Sequence, residues 1–256
     1  MSNDKKSGDL LGIKPLSKSV EIVTKGTVDG LGTFLGFLCL PMAEEFGLLF
    51  RDKVRNWRNK NIAAIENSAK IMYTNQFGTE NKTVHPQIIN SIVENGSWSE
   101  DSIVQKMWAG LLISACSSDT PSQENIIYIN YLNKLTHLEA VFIQSLMKSI
   151  RVFQTKEGFI YTEQIVFDRQ HLYDSFQTTD LQEIDFHLDH LRESSVLGEG
   201  SGFNAVTGIC KVTLSAIGLS LLAKCSGFNG TAKSYFKPPI KEPYGEAIES
   251  FEQALA

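Results

Sequence analysis

The chain has 256 residues, enough for one large domain or two small ones, and its 42% hydrophobic and 21% charged residues are those of a folded globular protein. A net charge of −5, with a pI near 5.6, speaks against a general nucleic-acid binder, which needs a basic surface to displace counterions from phosphate. The four cysteines, Cys39, Cys116, Cys210 and Cys225, form no C-x-x-C pair and each sits in an apolar stretch, so buried free thiols in a reducing cytoplasm are expected.

No apolar signal region follows the polar start, and residues 1–15 are expected to be mobile. Leu16 to Lys25 suits a short helix. From Gly26 to Phe50, five glycines (Gly26, Gly30, Gly32, Gly36, Gly47) interrupt a row of large apolar side chains. Glycine costs about 1 kcal/mol inside a helix, so this is a poor free-standing helix. The longest uncharged run, Gly30 to Ala43, has 14 residues, short of the roughly 20 that span a bilayer. A basic stretch follows, with Arg51, Lys53, Arg55, Arg58 and Lys60 against Asp52 alone.

Ile62, Ile65, Ala69 and Met72 predict a helix over Asn61 to Tyr73, followed by a polar loop to Thr83. Pro86 opens a helix carrying Ile88, Ile89, Ile92 and Val93, which Asn95-Gly96 stops. Ser97 and Glu100 have the spacing of a capping box ahead of the clearest helix. Its inward face is expected to hold Ile103, Val104, Met107, Trp108, Leu111, Leu112 and Ala115. Ser117 to Gln123 reads as a loop, Asn125 to Asn133 as a short apolar element, and Thr136 begins another helix. Phe159 to Phe167 suits a strand. Asp180 to Ser194 is helical, with Leu181, Ile184, Leu188 and Leu191 inward. Val196–Gly202 and Gly208–Leu214 flank a loop as in a β-hairpin, and Ser215 to Lys224 is a compact helix. Helix, helix, hairpin, helix is a winged-helix-like order. The expected fold is therefore mainly α: a helical region over 16–125, a winged-helix-like region over 126–227 and a tail over 228–256.

Three pieces in order resemble the Abi-alpha abortive-infection family of bacteria. They are the glycine–apolar segment with the basic run (Gly26 to Lys60), the helix pair from Val84 to Val93 and from Ser99 to Leu112, and the helix entered through Tyr131 to Leu135 and Leu138-Glu139-Ala140. The resemblance covers roughly 16–150 and implies defence against phage that acts on the infection or on the infected cell. It transfers no catalytic residue.

Each local feature has two readings. The glycine–apolar segment is either a membrane-active element, in which Leu31, Phe34, Leu35, Phe37 and Leu38 meet lipid while Arg51, Lys53, Arg55 and Arg58 meet anionic headgroups, or a buried hairpin of the core. The basic stretch meets a phosphate-rich partner or is a solvated helix face with Val54 and Trp57 inward. The hairpin region reads DNA or binds protein. Asp180, Glu183, Asp185, Asp189 and Glu193 against Arg192 alone favour protein, and Tyr131 to Gly227 carries 8 basic and 11 acidic residues. His187 and His190, with Glu183 a turn earlier, have spacing that can share a metal, but polar histidines need no metal.

No G-x-S-x-G, Walker lysine, H-E-x-x-H or catalytic cysteine signature occurs. The expectation is a non-enzymatic defence protein without cofactor or metal, cytoplasmic and reaching a membrane only on activation. Its partner would be a phage component or a second defence protein, and a homo-oligomer is compatible with the sequence. The alternative is a winged-helix DNA-binding regulator.

Overall fold

The computed structural model describes residues 55–116, 123–204 and 206–241. The expected helix at Leu16 to Lys25, the glycine–apolar segment and the end from Tyr244 to Ala256 lie outside the described residues, as does most of the loop after Ala115.

Helix α1 (Arg55–Phe77) is longer than expected at both ends. It takes in the end of the basic run and continues past Tyr73 until Gly78, at φ +60, donates its amide to Thr74 O at 3.0 Å. Its inner face buries Ile62, Ile65, Ala69 and Tyr73. Helix α2 (Pro86–Gly96) has its proline in the first turn, where the missing N–H costs nothing, and it buries Ile88, Ile89, Ile92 and Val93.

Helix α3 (Ser102–Ser114) is the centre of the molecule. Its start differs from the expected capping box. Asp101 is the N-cap, and its Oδ1 accepts from the amides of Ile103 (2.8 Å) and Val104 (3.0 Å). Ser97 instead closes α2, its hydroxyl donating to Glu94 O at 3.1 Å, and Glu100 accepts the indole N–H of Trp57. The chain must turn between α2 and α3, and that turn occupies the residues that a Ser97 cap would place in the helix. Ile103 is also exposed rather than inward, while Val104, Met107, Trp108, Leu111 and Leu112 are buried as expected.

Helices α4 (Asn125–Lys134) and α5 (His137–Leu146) pack on α3, as do α1 and α2. Helix α8 (Ala216–Cys225) crosses α3 at Gly110. A Cβ added at Gly110 would lie 1.7 Å from the carbonyl oxygen of Cys225, so the crossing requires a glycine.

Between α5 and α8 lie short strands. β1 (Val152–Gln154) pairs antiparallel with β2 (Ile160–Thr162). β3 (Ile165–Phe167), β4 (Gly202–Phe203) and β5 (Cys210–Val212) form a second antiparallel sheet in the order β3-β5-β4. The single strand expected over Phe159 to Phe167 is thus two strands of different sheets. Helices α6 (Arg169–Phe176) and α7 (Leu181–Glu193) connect β3 to the β4–β5 hairpin. After α9 (Ala232–Phe236) the chain returns along β1, with Gln154 N donating to Pro239 O at 3.0 Å and Lys241 N to Gln154 O at 2.9 Å. The fold is mainly helical with a small antiparallel sheet in its C-terminal part.

Cys116, Cys210 and Cys225 are free and buried. Burial pushes the Cys116 thiol up to about 12 and Cys210 to about 11, so neither is a ready nucleophile at neutral pH.

Candidate functional site

Helix α7 forms because Asp180 caps it, its Oδ1 accepting from Gln182 N at 2.9 Å, and because Ile184, Leu188 and Leu191 recur at helical spacing and are buried. The same periodicity turns Gln182, Glu183, Phe186 and Glu193 to solvent. Phe186 is 65% exposed, a large apolar ring among carboxylates. The helix's one arginine is not available to offset them. Arg192 Nη2 pairs with Asp189 Oδ1 at 2.6 Å, and Nη1 donates to Ser201 O at 2.7 Å, tying α7 to the hairpin.

The hairpin turn is held by Asn204, whose Oδ1 accepts from the amides of Val206 (3.0 Å) and Thr207 (2.9 Å), an Asx-type turn. Gly208 supplies the positive φ of +65 that returns the chain to β5. Val206 at the tip is 95% exposed and Ile209 is 42% exposed. Helix α7 therefore presents an apolar ring among carboxylates, and the adjoining hairpin presents apolar side chains at its tip. An aromatic ring within a polar rim is the usual composition of a protein-binding surface.

Behind α7 lies a polar cluster. Glu139, fully buried at the start of α5, faces both α7 histidines: His187 Nδ1 is 2.9 Å from Oε1, and His190 Nδ1 is 3.0 Å from both carboxylate oxygens. A carboxylate only accepts, so both rings carry a proton on Nδ1. Glu139 also completes a capping box, its Oε2 accepting from Thr136 N at 2.8 Å and its amide donating to Thr136 Oγ1 at 3.3 Å. Burial pushes the Glu139 carboxyl up. The hydrogen bonds from His187, the Thr136 amide and His190 together outweigh it and hold the group below the usual carboxylate range. The His187 ring stacks on Phe176 at 5.3 Å. The histidines thus meet a buried carboxylate rather than Glu183, and among the described residues no group of three His, Cys, Asp or Glu is placed to hold a metal ion.

Of the membrane- or partner-binding candidates of the sequence, only Arg55 and Arg58 are among the described residues. Leu31, Phe34, Leu35, Phe37, Leu38, Arg51 and Lys53 lie outside the described residues, and Arg55 opens α1. The guanidinium of Arg58 lies 4.7 Å over the Trp98 ring, and its Nε donates to Ser97 Oγ at 3.0 Å, joining α1 to the α2–α3 turn. No described helix is long and apolar enough to cross a membrane. Phe186, Val206 and Glu139 were missed by the sequence reading, although the Thr136-x-x-Glu139 spacing was a legible signal for the cap.

No curated protein and no solved structure matches the chain. One protein-family model does, that of abortive infection alpha, over residues 58–201. The match begins within α1 and runs through α7 to the edge of β4, leaving the glycine–apolar segment outside it. Because it takes in more than half of the sequence, the chain belongs to the abortive infection alpha family.

Proposed function

We propose that the chain is a non-enzymatic protein of anti-phage defence that acts by binding another protein through the outer face of α7 and the tip of the β4–β5 hairpin. The family supports the defence role, and exposed Phe186 on an acidic helix carries the binding role. The sheet order β3-β5-β4, with α6 and α7 between β3 and the hairpin, supports a winged-helix reading. In helix-turn-helix proteins that read DNA, the second helix enters the major groove. Here that helix holds five carboxylates from Asp180 to Glu193 against Arg192, which is already paired with Asp189, so it repels phosphate and suits a basic partner.

A membrane endpoint is a second proposal, carried by the uncharged run from Gly30 to Ala43 beside the basic run from Arg51 to Lys60.

The first proposal is tested by exposing the full chain to a random duplex library at physiological salt, beside a phage challenge of bacteria that express it. We expect fewer plaques and no enriched sequence. Selection of one duplex at nanomolar affinity would replace the protein-binding reading with the regulator.

A further inference from the structure

A cleft of about 480 Å³ beside the start of α3 gathers all three tryptophans of the chain, Trp57, Trp98 and Trp108. The Trp57 and Trp98 rings stand 5.6 Å apart, inclined by 53°. Two of the indoles are fixed by other residues of the lining, with Trp108 Nε1 donating to Ser99 Oγ at 3.0 Å and Trp57 Nε1 donating to Glu100 Oε1. The second bond also fixes the Glu100 carboxylate on the cleft wall. Asp101 lies beside it, and among the described residues of the lining His137 is the only basic one. Trp98 remains 55% exposed although the Arg58 guanidinium already lies over its ring, and Arg58 is not part of the lining. The chain itself thus shows that this indole holds a guanidinium, and it leaves indole surface open toward the cleft.

We propose that this cleft binds an arginine side chain presented by a peptide, its guanidinium stacked on the Trp57 and Trp98 indoles and hydrogen-bonded to the carboxylates of Glu100 and Asp101. A guanidinium is planar, weakly hydrated and always charged, and its fork of donors matches a carboxylate. An ammonium has neither the plane nor the weak hydration. A phosphate is repelled by the two acids. Free arginine would bring its own α-carboxylate toward them, so arginine within a peptide is favoured. The cleft volume lies in the range of small-ligand sites and leaves room for the flanking backbone. The site is built from α1 to α5 and does not rest on the surface of α7 and the hairpin.

The test titrates the full chain with N-acetyl-arginine amide, its uncharged citrulline counterpart and free L-arginine, followed by tryptophan fluorescence and calorimetry. The blocked arginine should bind at least about tenfold more tightly than the citrulline compound, because charge-assisted pairing is lost in the latter. Trp98→Ala and Glu100→Gln should each weaken binding about 3- to 10-fold with the unfolding midpoint kept, since both residues are exposed. If Trp98→Ala does not fold, Glu100→Gln decides alone, because glutamine still accepts from Trp57. Free arginine binding as tightly as the blocked form would assign the guanidinium to a small molecule rather than a peptide. Equal binding of the citrulline compound, or no effect of Glu100→Gln, overturns the proposal.

Discussion

Glu139 is a buried carboxylate with three donors converging on it, two imidazoles and the Thr136 amide. The arrangement ties the start of α5 to the middle of α7, so one residue sets how the acidic helix is seated. Removing it by Glu139→Ala should cost about 3 kcal/mol, because buried groups left without a partner each cost roughly 1–3 kcal/mol. Its carboxyl is held below the usual range in the folded chain, so its contribution to stability is complete above the unfolded carboxylate value near about 4.3 and is lost as pH falls through the lower folded value. Urea unfolding of wild type and Glu139→Gln from neutral to acid pH checks this: the variant should be weaker at neutral pH and should lose less below about pH 4. Parallel curves would remove the carboxylate from the account. At this scale the sequence was only partly legible. The Thr136–Glu139 cap shows in local spacing, but the histidine partners are 48 and 51 residues away, and no local pattern carries such a contact.

Helix α3 shows what periodicity can and cannot reveal. Its apolar stripe was plain, and Trp108, at its centre, is 2% exposed. The stripe could not show that five of the described helices wrap α3, nor that Gly110 is the point where α8 crosses. Glycine reads as a weak helix residue, and in isolation alanine there would gain about 1 kcal/mol. Against the Cys225 carbonyl the sign reverses. Gly110→Ala must push α8 away and should cost at least about 1–3 kcal/mol net, read as a lower unfolding midpoint in urea. A midpoint at or above wild type would mean that the crossing has slack. The strands were the least legible elements. With two or three residues each they hold no period, and β1 and β2 are set by each other and by Gln154 meeting Ile240 near the far end of the chain.

In the whole molecule, a helical core around α3 carries a smaller α–β unit whose outer helix is acidic and whose hairpin tip is apolar. The mainly helical class, the hairpin and the acidic helix could be read from the sequence; the side chains proposed to bind could not, because exposure at Phe186 and Val206 depends on which face the core claims. The membrane proposal is separable from this surface. Arg58 is committed to Trp98 and Ser97, so Arg51→Glu with Lys53→Glu is the variant that spares this contact. Near an anionic surface each basic residue is worth roughly 1 kcal/mol, so sedimentation with anionic liposomes should fall clearly in this double variant. Unchanged sedimentation would remove the membrane endpoint.

The central claim is that defence acts through the outer face of α7 and the hairpin tip. It is tested most directly by plating phage on bacteria that express wild type, Phe186→Ser with Val206→Ser, or Phe159→Ser as a control at another site that is 74% exposed. All three proteins should fold alike, because surface substitutions change stability by only about 0.5 kcal/mol. The account predicts that the double variant loses protection while wild type and the Phe159→Ser control keep it. Full protection by a folded double variant would contradict it.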